Sequence, residues 1–450
     1  MNRPASDDRP VSRRDVLKAS ASAALATSVG PAWMSPADAQ GRPPINFMTW
    51  SAAVDQVKSH ISAFEAQSKL KVNYENAPGA QFRQTLVTKF VSGSPLDVMW
   101  VSDAWLPEFA EAKWLAPVDR YTELTRYNAD LEKYCVDSMV YKGNQYGNVY
   151  YTDFMAFLYN EDMLKRAGIA APPTTWEEVV EQSIRLKERK ICEFPMLLSL
   201  QADVTWFIEF VSAMAFSFGG RFVDDAGKSV MQDPKGGVAA ALRWIHEAIH
   251  THKIVSPAAT NTQEIAGLKA FGAGQHAFGI IPRYRIRPLN SPSESQVAGK
   301  VRIALMPKGG PNGQHATCGW VRFYGLSASA QRDAAKAADC VKLIEWFGGK
   351  ALDAYRFQKM LILDLGLPYC TRPLDDDPDI ARFYDTFAGG STVVKRQASM
   401  ARKKDVVATW FGEWNDANTQ AWQKAILNQS TVAAALAESG RTWDRLRAAG

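Results

Sequence analysis

The chain is poor in cysteine. Only Cys135, Cys192, Cys318, Cys340 and Cys370 occur in 450 residues, and no Cys-x-x-Cys pair is among them. Five is an odd number, so the cysteines do not complete a disulfide framework; either all are reduced and mostly buried, or one pair closes. After residue 40 the sequence also lacks any apolar run of the roughly 20 residues that a membrane-spanning helix needs, any internal repeat and any low-complexity segment. An excess of one charge is missing too: 52 Lys and Arg face 47 Asp and Glu, and a net +5 is too small on a chain of this size to argue for nucleic acid. No Gly-x-Ser-x-Gly elbow, Walker loop or dinucleotide fingerprint after the first strand appears, so no catalytic constellation stands out. What is present is an ordinary globular composition, 46% hydrophobic and 22% charged, with length for two or more domains.

The first forty residues differ from the rest. Ser12-Arg13-Arg14-Asp15-Val16-Leu17-Lys18 precedes an Ala-rich stretch from Ala19 to Val29, and Ala37-Asp38-Ala39 has the small-x-small form of a cleavage site. The segment resembles a twin-arginine signal peptide over residues 1–39, with Val16 where Phe is more usual. No cysteine lies within it, so a lipid anchor at the cleavage site is not expected, and the implied location is a Gram-negative periplasm. Twin-arginine export carries folded protein out of a reducing compartment, which agrees with the sparse cysteine; one pair could still close after export.

Beyond the leader, strand and helix patterns alternate. Ile45 to Thr49, Lys71 to Asn76 and Asp97 to Val101 read as strands; Gln56 to Gln67 and Gln81 to Val91 read as helices. That rhythm predicts an α/β fold with a parallel or mixed sheet, whose ligands lie at the carboxyl ends of the strands. Trp50-Ser51 and Ser102-Asp103-Ala104-Trp105 stand at those ends. The middle is mostly helical, strands return at Ala277 to Ile281, Val301 to Leu305 and Gly319 to Leu326, and helices close the chain.

The richest segment is Tyr150 to Val180. An apolar run from Phe154 to Tyr159 ends at Asn160, a short amphipathic helix runs to Gly168, and Pro172-Pro173 precedes a new helix. Thr175 and Glu178 spell a capping box. Tyr159-Asn160-Glu161-Asp162 and Pro173-Thr174-Thr175-Trp176-Glu177-Glu178 resemble the second-lobe entry of family 1 extracellular solute-binding proteins, the maltose-binding-like receptors of ABC importers. Pro95-Leu96-Asp97-Val98-Met99-Trp100, Phe271-Gly272-Ala273-Gly274-Gln275-His276-Ala277, and Met306-Pro307-Lys308-Gly309-Gly310 with Cys318-Gly319-Trp320 resemble further family motifs, in the family's order. The resemblance covers nearly all of residues 44–440. It implies a two-lobed periplasmic binding protein fold (type II-like), each lobe a mixed sheet flanked by helices, with the ligand cleft between lobes. It places residues 40–150 and 283–320 in the first lobe and 151–282 and 321–450 in the second, with crossovers near 150–153, 277–283 and 320–324.

Sugar receptors of this family stack aromatic rings on pyranose faces and meet hydroxyls with carboxylates or arginines. On that basis Asp153 is the first candidate ligand carboxylate; a salt-bridged hinge residue is the alternative. Asp103 is the second, with a helix N-cap as alternative. Trp50, Trp105, Tyr151, Tyr284, Trp320 and Trp206 are candidate platforms or core residues. Arg283, Arg285 and Arg287 alternate, so a strand would place them on one face. A cleft face of that kind favours an anionic ligand; a solvated edge strand is the alternative. Arg372, in Pro368-Tyr369-Cys370-Thr371-Arg372-Pro373, stands where the family has a cleft arginine.

His246, His250 and His252 invite a metal check, since His246 and His250 share a helical face. Cations at a helix C-terminus account for them, and neither metal nor other cofactor is expected. The expected function is that of a monomeric receptor that closes on a carbohydrate, polyol or sugar acid, delivers it to ABC permease subunits, binds no nucleic acid and catalyses nothing. The rival reading is an exported glycoside hydrolase or lyase.

Overall fold

Two long strands run through the centre of the molecule, Gly147–Asn160 and Thr317–Ser327. The computed structural model describes residues 41–202 and 206–449; the expected leader over 1–39 lies outside them. Of the fourteen residues of the first strand only Tyr159 is not fully buried. A strand covered on both faces reads as a continuous apolar run, which is the pattern from Phe154 to Tyr159.

The main sheet has ten strands, and its path runs from Val72–Ala77 through Ile45–Trp50, Val98–Ser102, Thr317–Ser327, Gly147–Asn160 and Phe278–Pro282 to Met196–Leu197. Ile45–Trp50 is parallel to both of its neighbours. The two long strands are antiparallel from Gly319 opposite Phe154 to Gly325 opposite Gly147. Beyond that point Gly147–Asn160 pairs with Phe278–Pro282 on one side and Val301–Ala304 on the other, both antiparallel. The fold is the expected two-lobed α/β arrangement of mixed sheets flanked by helices. Gly319 sits at the crossing, where an added Cβ would lie 2.6 Å from the Tyr134 ring, so only glycine allows the approach.

The buried side chains group around the two ends of these strands. One core joins Phe47, Trp100, Tyr150, Phe323 and Phe347 beneath helices Val54–Ser68 and Ala334–Gly348. Another joins Phe157, Trp176, Phe207, Phe216, Trp414 and Trp422. A third, around Phe154, Ile281, Tyr355, Tyr369 and Tyr384, lies beside the crossing. This grouping corrects the expected boundaries. Ala304, Met306, Cys318 and Trp320 pack in the second core rather than the first, and Val321 to Leu367 contribute to the first rather than the second. The reason is the ladder: Phe323 to Leu326 pair with Val98 to Val101, which carries the chain back into the first lobe. Phe278–Pro282 does not cross, because it pairs only with the second-lobe half of Gly147–Asn160 and with Met196–Leu197.

Local signals hold where they were strongest. Thr175 accepts from Glu178 N–H at 3.1 Å, Glu178 accepts from Thr175 N–H, and the helix Trp176–Glu188 follows. Trp176 is fully buried and donates its indole N–H to Ser217 at 2.8 Å. Asn160 caps the helix Glu161–Arg166. Of the two cysteine states left open, the paired one is found: Cys135 and Cys370 are joined across 235 residues, while Cys192, Cys318 and Cys340 are free.

His60 projects from the helix Val54–Ser68 onto the helix Ala334–Gly348, with Nε2 2.9 Å from the Trp346 carbonyl and its ring edge-on to Phe347. Burial pushes its pKa down to about 4, and the Trp346 carbonyl only partly offsets this. Between pH 6.5 and 4 the unfolded chain therefore takes a proton that the folded chain refuses, so stability falls as pH falls through that window. Wild type is expected to lose about 2 kcal/mol more than His60→Gln between pH 7 and pH 4.5 in urea unfolding; equal losses would contradict this account.

Candidate functional site

The faces of the two long strands place four side chains together where the lobes meet. Trp320 is opposite Asp153 and Arg322 is opposite Tyr151 in the antiparallel register, so all four point to one side of the sheet. Directly before Tyr151 the register slips, leaving Tyr150 without a partner between Arg322 and Phe323. A bulge there re-aims the strand at the site.

Asp103 enters from the first lobe. It follows Val98–Ser102 and opens the short turn Asp103–Trp105. Its carboxylate accepts from Ala104 N–H at 3.0 Å and from Arg322 at 2.8 Å, and it lies 3.6 Å from the Lys404 ammonium. Lys404 in turn donates to Glu209 at 2.8 Å. Glu209 stands on the second-lobe helix Trp206–Ser217, one turn after Trp206. The result is an alternating row of charges, Arg322, Asp103, Lys404 and Glu209, with Lys404 only 5% exposed and Glu209 1%. Burial alone would lower the Lys404 pKa, but the Asp103 and Glu209 carboxylates outweigh it and hold the ammonium above the ordinary lysine range. Glu209 Oε2 is buried and has no hydrogen-bond partner among the described residues.

Aromatic rings flank this row. Trp206 meets Trp320 edge-on at 5.7 Å. Trp50 stacks on Tyr151 at 5.8 Å and on Trp100 at 5.4 Å, and Arg322 lies 5.9 Å from the Trp100 ring. Burial raises the Tyr151 hydroxyl to about 12, and burial likewise raises Tyr284. Both stay neutral donors and acceptors across the physiological range.

The structure sorts the residues singled out in the sequence. Asp103, Tyr151, Trp206, Tyr284 and Trp320 come together with the charged row, and Trp50 joins through Tyr151. Trp105 turns into the first-lobe core, edge-on to Trp100 and stacked on Phe82. Arg372 is exposed and donates to the Ala129 carbonyl, away from the row.

Asp153 shares the cleft face and is held by buried partners. It is fully buried, accepts from Phe154 N–H at 2.8 Å and Tyr284 N–H at 3.1 Å, and pairs with Arg283 at 3.3 Å. The ion pair that the second of the two sequence alternatives requires is present. Burial pushes its carboxyl up to about 6, while Arg283 and the two N–H donors pull it back.

The alternating arginine face does not form. The strand ends at Pro282; Arg283–Arg285 is a 3-10 turn and Ile286–Leu289 a short helix. At three residues per turn, successive side chains fan out rather than alternate. Arg283 goes to Asp153, Arg285 pairs with Glu264 at 2.7 Å, and Arg287 donates to the Asp364 carbonyl.

Glu209, Arg322 and Lys404 were missed in the sequence. The first two carried a signal. Glu209 is the only charge in the helix WFIEFVSAMAFS, and Arg322 the only one in the strand TCGWVRFYGLS. Lone charges in fully buried elements need a partner or a function. Lys404 sits among Arg402, Lys403 and Asp405 and had no such contrast.

The helix Gly237–His250 spells His-Glu-x-x-His over His246 to His250, a point that the helix-end reading does not address. His250 Nε2 is 2.8 Å from the Ile426 carbonyl and His246 approaches Asn428 at 3.4 Å. Among the described residues no group of three His, Cys, Asp or Glu could hold a metal ion. Both imidazoles face the end of the helix Phe411–Ile426 and the residues just after it.

Comparison with known proteins agrees with this fold. The family profile of bacterial extracellular solute-binding proteins matches residues 46–354. A Deinococcus radiodurans protein described as an ABC transporter-binding protein is 27% identical over 301 residues, which is 64% of this chain and 65% of the relative. Against the Brucella abortus binding protein that it matches at 26% identity, the chain spans only 43% of the relative's length. Among solved structures, maltose-bound MalE3 of T. maritima has a TM-score of 0.74 at 22% identity, with 90% of this chain and 99% of that one covered. A solute-binding protein of Agrobacterium vitis with bound D-mannitol has a TM-score of 0.68 at 21% identity, with coverage of 90% and 99%. At these identities the structural likeness is one of fold.

Loss of Arg283 would strand a buried carboxylate. Arg283→Met is expected to cost about 3 kcal/mol in urea unfolding, with partial recovery in the double variant with Asp153→Asn. An unchanged stability in Arg283→Met would refute the hinge assignment of the pair.

Proposed function

The chain belongs to the family of bacterial extracellular solute-binding proteins, and we propose that it is the exported receptor of an ABC importer for a neutral carbohydrate or polyol. The observation that carries this reading is the row Arg322, Asp103, Lys404 and Glu209, set between the Trp206–Trp320 pair and the Trp50–Tyr151 stack where the two lobes meet. A polyhydroxylated ligand has apolar C–H faces for rings and a polar rim for charged acceptors and donors. The row contains two cations and two anions, and the arginines around Tyr284 are spent on Asp153 and Glu264. That balance favours a neutral ligand over the sugar acid that the arginine spacing suggested.

In this reading Asp103, Glu209 and Arg322 address hydroxyls, Trp206 and Trp320 supply ring faces, and Tyr151 and Tyr284 complete the polar rim. Ligand in the cleft stabilises the closed form over the open one by its differential affinity, and the closed form is what the permease recognises. The protein performs no chemistry on its ligand. Export through the twin-arginine pathway to a periplasm, and a monomeric state, complete the proposal; the twin-arginine motif and the absence of a cysteine at the expected cleavage site support the first.

A thermal-shift screen with maltose, D-mannitol and their oxidised acid counterparts tests this. A neutral ligand is expected to raise the melting temperature in proportion to ln(1 + [L]/Kd) and to be recovered unchanged. Glu209→Gln is expected to weaken binding about tenfold, since a hydrogen bond to a charged acceptor is replaced by a neutral one. Cleavage of a chromogenic glycoside with no ligand moving the melting point would overturn the reading.

A further inference from the structure

The segment Arg402–Asp405 does something that ligand binding alone does not require. Its two ends are bolted to the second lobe. Arg402 donates to the Gly220 carbonyl at 3.2 Å and its guanidinium lies over the Phe216 ring at 4.2 Å. Asp405 accepts from Phe222 N–H at 2.8 Å. Just before, Ala401–Arg402 runs parallel to Thr317–Cys318 and fixes the approach of the segment.

Between those anchors, both lysines reach the other lobe. Lys403 donates to the Asp137 carbonyl at 2.9 Å, on the helix Lys133–Ser138 beside the Cys135–Cys370 disulfide. Lys404 lies 3.6 Å from Asp103 while it bonds Glu209 at 2.8 Å. Glu209 belongs to the second lobe and Asp103 to the first, so one ammonium holds a carboxylate from each. Without that cation Glu209 would lose the ion pair that it makes in this poorly hydrated junction, and the link from it to Asp103 would be gone.

We propose that Lys404 is a positioning residue that latches the lobes: its ammonium bridges Asp103 and Glu209 and maintains a closed population before ligand arrives. The latch rests on the receptor reading given above, but its action on the lobes needs no ligand. A receptor in which a fraction of molecules is already closed binds more tightly, because apparent affinity scales with the competent fraction. Lys404 therefore sets affinity by biasing the lobes rather than by touching the ligand, and Lys403 lends a weaker bond at the rim.

Small-angle X-ray scattering of the full mature protein without ligand tests this, with wild type, Lys404→Met, Lys404→Arg and Asp103→Asn compared. The expected result is a larger radius of gyration for Lys404→Met than for wild type, rescue in Lys404→Arg, and the same expansion in Asp103→Asn, which removes the first-lobe end of the bridge should Lys404→Met fold poorly. Circular dichroism checks that each variant is folded. Titration with maltose and D-mannitol is expected to show Kd raised about tenfold in Lys404→Met and restored in Lys404→Arg. Equal radii for wild type and folded Lys404→Met or Asp103→Asn overturn the latch, and so does an unliganded wild type already at the expanded radius. If neither sugar nor polyol binds wild type, the receptor reading fails, while the scattering comparison still judges the latch.

Discussion

The antiparallel pairing of Gly147–Asn160 with Thr317–Ser327 is the constraint on which the rest of the molecule depends. Each strand is longer than one lobe requires, so each belongs to both. The half from Gly147 to Phe154 pairs with Thr317–Ser327 over the crossing, and the half from Met155 to Asn160 pairs with second-lobe strands. A backbone ladder cannot slip by one residue without turning every side chain to the opposite face. The same register that joins the lobes therefore fixes Trp320, Arg322, Tyr151 and Asp153 on the cleft side.

Around that ladder the charged groups divide into two kinds. Asp153 and Arg283 are sealed, with both backbone N–H donors and the Tyr369 carbonyl completing their bonds. They tie the crossing strand to the turn that follows Phe278–Pro282. Asp103, Arg322, Lys404 and Glu209 are drawn from both lobes, and Glu209 keeps an oxygen without a partner among the described residues. Groups of the first kind survive any movement of the lobes as a unit. In the proposed receptor reading, groups of the second kind change their neighbours as the lobes close on a ligand.

Much of the fold was legible before any coordinates. The capping box at Thr175 and Glu178, the Asn160 cap and the alternating first strands are local patterns, and local patterns survive in sequence. The lobe boundaries were read less well. Treating Phe278–Pro282 as a crossing and sending Val321 onward into the second lobe both followed from the family resemblance; only the pairing partners reveal which lobe a strand serves. The arginine alternation failed for a similar reason. Alternation means one face only on a strand, and Pro282 closes the strand one residue too early.

Sequence by itself determined the class of the protein: the leader-like start, the order of the motifs, the two-lobed α/β architecture and the family. It also placed Trp50 and Asp103 at the ends of the first strands, since those ends are set by chain order. What only the tertiary structure decided is which partners each charged group meets there. Asp153 was the more conspicuous carboxylate, alone among aromatics, yet it is consumed by Arg283, 130 residues away. Asp103 acquires its role from Arg322 and Lys404, the former 219 residues along the chain. Whether a carboxylate is free is a property of its partners, and partners that far apart in sequence meet only when the lobes pack.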